Sequence, residues 1–202
     1  MIVLVVSVLL LIIHQGQCAV QATATLYADN TNKSAGILTF TQDNAGASVR
    51  ISGSLSGLNI TSAHGFHVHE FGVSETVPNC TAAGGHFNPL KTLHGPRTAN
   101  ITSRHVGDLG NITTDDKGNA NINIEDSIIQ LYNGNRSIVN LTIVVHRMRD
   151  DGGQGGASSS NTTGDAGARV LCGRILSSDA LIIKPAMFIY HIAIMTAILM
   201  FY

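Results

Sequence analysis

The chain reads as an all-β domain, a sandwich or barrel, on three observations. Short runs of small, polar and β-branched residues recur along its middle and break at Gly, Asn and Asp, the punctuation of strands joined by turns. No segment of that middle carries apolar residues at helical spacing. The runs are short and evenly spaced, which favours a sandwich or barrel over a parallel α/β sheet.

In order, the strand-like runs are residues 20–28 (VQATATLYA), 36–42 (GILTFTQ), 48–58 (SVRISGSLSGL), 65–70 (GFHVHE), 119–126 (NANINIED) and 137–146 (SIVNLTIVVH). Two stretches interrupt them: an irregular one over 72–104 and a Gly/Ser/Asn-rich one over 150–168. Loops of that length in a small domain are functional or are linkers, and the second has a flexible linker's composition. Residues 20–178 suffice for one domain with one core. A formal charge of -1 gives no sign of nucleic-acid binding.

The ends differ from the middle. Residues 1–18 hold an apolar run from Ile2 to Ile13 that stops at Gly16 and Cys18. It is shorter than the ~20 residues that span a bilayer and has the shape of a secretory signal peptide, although no basic residue opens it. A buried strand or an uncleaved anchor are the other readings. Residues 179–202 form an apolar tail with no basic residue after it, preceded by small residues from Ser177 to Ala180. That pattern fits a glycosylphosphatidylinositol anchor signal better than a retained transmembrane helix. Between these ends lies a domain expected over 19–178.

Removing the first segment leaves Cys80 and Cys172, a number that can pair in an oxidising compartment. Asn-x-Ser/Thr triplets begin at Asn32, Asn59, Asn79, Asn100, Asn111, Asn135, Asn140 and Asn161. As a group they predict an extracellular, glycosylated surface, whether secreted or attached to the outer face of the plasma membrane.

The histidines carry the chemistry. On a strand, residues i and i+2 share a face, so His67 and His69 point at one volume. Alone, such a pair is an ordinary polar strand face. Here it is followed by His86, His94, His105 with Asp108 three places on, and His146 at the end of an apolar run. Imidazole nitrogen suits copper and zinc, and a carboxylate oxygen suits zinc.

This arrangement resembles the copper–zinc superoxide dismutase family, over residues 23–175. The resemblance implies an eight-stranded Greek-key β-barrel or sandwich with two long functional loops. It implies copper held by His67, His69, His86 and His146, and zinc held by His86, His94, His105 and Asp108, one ion of each per subunit. His86 would bridge the two. Asp150 would link His67 to His94, Cys80 and Cys172 would form the family's disulfide, and Arg169 would guide the anion, with His86 and Arg169 as the catalytic pair. The expected reaction is dismutation of superoxide to dioxygen and hydrogen peroxide; the alternative is a non-catalytic extracellular copper- and zinc-binding surface protein. His64 matches no ligand and is expected to be structural, with both ring nitrogens satisfied by backbone. The resemblance leaves a homodimer open, since Val73 stands where an acidic residue is typical in a segment that often touches the partner subunit. Gly85 replaces the family's usual proline, and the segment 152–167 lacks the lysine and paired glutamates common there.

Overall fold

In the computed structural model, which describes residues 19–178, β1 (Val20–Ala28) turns Ala22, Ala24 and Leu26 inward and alternates them with more exposed positions. The same period of two places Leu38 and Phe40 of β2 (Ser34–Gln42) and Val49, Ile51 and Leu55 of β3 (Val49–Leu55) in the core. β4 (Ala63–His69), β5 (Asp108–Thr113), β6 (Ala120–Asp126), β7 (Thr142–His146) and β8 (Arg169–Arg174) complete the eight strands. A two-residue β9 (Leu176–Ser177) adds to β1.

The strand order is β5-β4-β7-β8-β1-β2-β3-β6, and these strands pair antiparallel. β5 and β6 at the two ends of that path follow each other in the chain, so the sheet curls almost closed into a barrel. The non-consecutive neighbours β4–β7 and β1–β8 are Greek-key crossings. One contiguous apolar core, with Phe40, Phe66, Ile51, Ile138 and Ile143 fully buried, fills the interior.

β4 and β7 depart from the alternation. From His64 to His69 and from Thr142 to His146 every residue is buried. Phe66, Val68, Ile143 and Val145 fill the barrel, while residues of the other parity are covered from outside by two long connections. The first runs from β4 to β5 and includes one 3-10 turn, Cys80–Ala83, whose first N–H groups are capped by the Asn79 side chain. The second runs from β7 to β8 and contains the single-turn helix α1 (Ser160–Thr163). The Cys80–Cys172 disulfide ties the first connection to β8 inside a small apolar cluster with Val73, Ala83 and Val144. In the chain-entropy model, closing a loop with a sequence separation of 92 stabilises the fold by about 4 to 5 kcal/mol.

Arg104 is the largest fully buried side chain. Its guanidinium donates to the carbonyls of Arg97 and Asp108 and to Asp126 Oδ2 at 2.6 Å. A buried arginine paired in this way pins the first connection to the end of β6. The expected signal segment, 1–18, and anchor segment, 179–202, lie outside the described residues; among those residues no helix is long and apolar enough to cross a membrane.

Candidate metal centre

Because Phe66 and Val68 point into the barrel, His67 and His69 must share its outer face. His146, the last residue of the neighbouring β7, joins them there. The first connection folds back so that His86 bridges to His69, and it also delivers His94 and His105 ahead of Asp108, the first residue of β5. Two buried groups result, His67–His69–His86–His146 and His86–His94–His105–Asp108, each with its potential ligand atoms within 4.8 Å of one another. His86 belongs to both. Asp150 forms a third group with His67 and His94.

Hydrogen bonds decide which nitrogens carry protons. Carbonyl oxygens only accept, so Nδ1–H of His69 donates to Gly84 and Nδ1–H of His146 donates to Gly167, both at 3.0 Å. In the neutral rings each Nε2 is then a bare lone pair, and these two face each other at 3.2 Å. Such an arrangement is repulsive unless a cation lies between the rings. Likewise His67 donates through Nε2 to Asp150 at 2.8 Å, which leaves its Nδ1 bare. His67 Nδ1 and His86 Nε2 are buried with no hydrogen-bond partner among the described residues, while His94 Nδ1 lies 3.1 Å from Asp108 Oδ2. Buried polar atoms are rarely left so. These residues fit metal ions.

Electrostatics point the same way. Burial first, and His86 next, push His67 and His69 well below the ordinary imidazole range. His146 is lowered to about 4, mainly by burial, with His86 and Arg169 adding to it against the Gly167 hydrogen bond. The first group is therefore four neutral nitrogen donors, a set that suits copper. In the second, burial opposes charge on Asp108, but hydrogen bonds from His105, His86 and His94 hold its carboxyl well below the usual range. Burial would also lower His94; its hydrogen bonds to Asp108 and Asp150 outweigh that and raise it to about 9. Three imidazoles and one ionised carboxylate make a four-donor set of the kind zinc takes in closed sites.

Asp150 Oδ2 meets His67 Nε2 and Oδ1 meets His94 Nε2, both at 2.8 Å, so one carboxylate orients a ring in each group. Gly164 makes room for it: a Cβ there would lie 2.0 Å from Asp150 Oδ1 and 2.6 Å from His94 Nε2, and its φ is +64°. Arg169 is held by carbonyls of the disulfide loop, donating to Cys80 at 2.7 Å and also to Thr81 and Gly84. Gly84 O also holds His69.

Every candidate metal-binding residue is thus brought together. His64 is only half as expected: Nδ1 bonds the His146 carbonyl at 2.8 Å, but Nε2 has no partner among the described residues. Seven of the eight triplet asparagines are exposed, and Asn111 is half-buried. Asn111, Arg104 and Gly164 are parts of the site that sequence reasoning does not single out. For Arg104, the one signal is its place directly before His105.

A family model described as "Copper/zinc superoxide dismutase (SODC)" matches residues 34–175. "Superoxide dismutase [Cu-Zn] 4" of Dictyostelium discoideum is 49% identical over 139 residues, covering 68% of this chain and 87% of the relative. "Superoxide dismutase [Cu-Zn]" of Neurospora crassa is 44% identical over 156 residues, covering 77% and 97%. "Extracellular superoxide dismutase [Cu-Zn]" of Haemonchus contortus is 43% identical over 171 residues, covering 81% and 88%.

Proposed function

As the chain belongs to the copper/zinc superoxide dismutase family, we propose a division of labour among its site residues. The enzyme converts two superoxide anions and two protons into one dioxygen and one hydrogen peroxide, with copper and zinc as cofactors. His67, His69, His86 and His146 hold the copper; His86, His94, His105 and Asp108 hold the zinc. When bound, copper supplies one-electron redox chemistry and closed-shell zinc supplies charge and geometry. The observation that carries this reading is the sharing of His86, whose Nε2 is bare toward the first group while its Nδ1 lies 2.8 Å from Asp108 in the second.

The protein's own groups have distinct roles. Arg169, half-buried and fixed by three carbonyls, attracts and orients the anion beside His69 and His146. Such a charge steers a small anionic substrate and raises its rate of encounter with the site. His86 Nε2 is the atom at which a proton is held and returned near the substrate. Asp150 keeps the His67 and His94 rings in their tautomers from behind.

The exposed triplet asparagines, the disulfide and the similarity to a relative named extracellular support a secreted or surface-attached enzyme. Residues 1–18 then act as a signal peptide and 179–202 as a lipid-anchor signal, around a domain over 19–178. Release from intact cells by a phosphatidylinositol-specific phospholipase tests the anchor, and light scattering of the purified protein tests for a homodimer.

The decisive assay measures superoxide loss with purified protein before and after loading with copper and zinc. Activity should appear on loading and be lost in His146→Ala. A fully loaded wild type without activity would support the alternative of a metal-binding surface protein.

A further inference from the structure

Asn111 opens an Asn-Ile-Thr triplet and would be counted with the other glycan acceptors. The structure sets it apart. Its Nδ2 donates to the Asp150 carbonyl at 2.8 Å, and its Oδ1 accepts from the Asp150 N–H at 2.8 Å. Nδ2 is the atom through which an N-linked sugar is attached, and here it is engaged and half-buried. By contrast, the side-chain hydrogen bonds of Asn79, Asn100 and Asn140 run through the oxygen, and all three are exposed.

The two bonds flank a single Cα. Fixing both the N–H and the C=O of Asp150 fixes the direction of its Cα–Cβ bond, and so where its carboxylate lands between His67 and His94. Asn111 sits on β5, a strand of the barrel, whereas Asp150 lies in the second long connection. The amide therefore passes the rigidity of the barrel to the loop residue that orients both groups. Only a planar amide of this length serves both backbone groups at once, since alanine offers neither bond, and aspartate keeps the acceptor but loses the donor.

We infer that Asn111 is a positioning residue for Asp150, and through it for His67 and His94, and that it carries no glycan in the folded protein. The inference rests on reading the two groups as copper and zinc sites.

Two substitutions separate this role from a glycan. Thr113→Ala destroys the triplet at an exposed strand position while leaving Asn111 intact; Asn111→Ala removes the amide as well. The full chain, made in a eukaryotic secretory host, is subjected to glycopeptide mass spectrometry, to amide exchange at Asp150, and to titration with cobalt as a visible probe of the zinc group. Thr113→Ala should match the wild type. Asn111→Ala should exchange the Asp150 amide faster, bind cobalt roughly tenfold more weakly and show a changed cobalt spectrum. If Asn111→Ala does not fold, Asn111→Asp is read in its place and should show a smaller loss.

Sugar on Asn111 of the folded protein, or an Asn111→Ala protein that behaves as Thr113→Ala does in both exchange and cobalt binding, overturns the inference. A wild type that binds no cobalt would instead overturn the functional reading, with exchange and glycan occupancy still deciding the role of Asn111.

Discussion

Two halves of the barrel make opposite use of the same backbone pattern. In β1, β2, β3 and β6, buried residues alternate with more exposed ones, and the buried apolar set packs into the core. In β4 and β7 the alternation is lost because both faces are covered, one by the core and the other by the long connections. The second covered face is where His67, His69 and His146 stand. A strand that buries polar residues on the side away from the core has that burial caused by something else, here a metal centre and its lid.

The sharpest way to break this contrast is to damage each half once. Phe40→Ala, in β2, should cost about 3 to 5 kcal/mol of stability, yet leave metal affinity of the folded protein nearly unchanged. Asp108→Ala should instead weaken zinc binding by about a hundredfold or more, since it removes a proposed ligand rather than a residue supporting one. Thermal denaturation and competition against a chelator measure the two effects. Equal losses of zinc from both variants would erase the distinction.

Arg169→Ala sharpens the functional half. Its expected cost is roughly tenfold in the rate at low ionic strength, shrinking as salt screens the charge. Because the segment 152–167 lacks lysine and glutamate, the wild-type rate should itself fall only gently with salt. A steep fall that persists in Arg169→Ala would show that other charges do the steering.

The smallest effect concerns pH and the metal-free protein. His94 is raised from the ordinary 6.5 to about 9 in the fold, so the folded state binds its proton more tightly than the unfolded chain does. That contribution is fully present below about 6.5 and is lost as pH rises through about 9. Metal-free protein should therefore melt a few degrees lower at pH 10 than at pH 8, an interval over which the lowered His67, His69, His86 and His146 are neutral in both the folded and the unfolded chain, while zinc-loaded protein loses this dependence. A metal-free melting temperature that rises over the same interval contradicts it.

Much of this is legible in the sequence, for definite reasons. β1 has the bounds that its run of residues suggests, because both faces of its alternation are conventional. The histidines of the two groups are legible because their spacing is distinctive. β5 is harder: it begins on Asp108 and carries the polar Asn111, so no apolar alternation announces it. The second connection has a linker's composition but is held by its carboxylates. Asp151 accepts from Ser160 Oγ at 2.6 Å and from Gly153 N–H at 2.8 Å, and Asp150 accepts from Gly152 N–H at 2.7 Å. Composition does not show which backbone groups a carboxylate will find. Asn111 is concealed differently, since a triplet that reads as a surface signal also supplies a planar amide to the interior.

Anomalous diffraction from crystals of the copper- and zinc-loaded protein, collected at both metal edges, tests the shared ring most directly. In the oxidised, copper(II) state two distinct ions should appear, with one nitrogen of His86 bound to each, at about 2.0 to 2.1 Å from the zinc. His86 bound to one ion alone, or to neither, would contradict a shared ring.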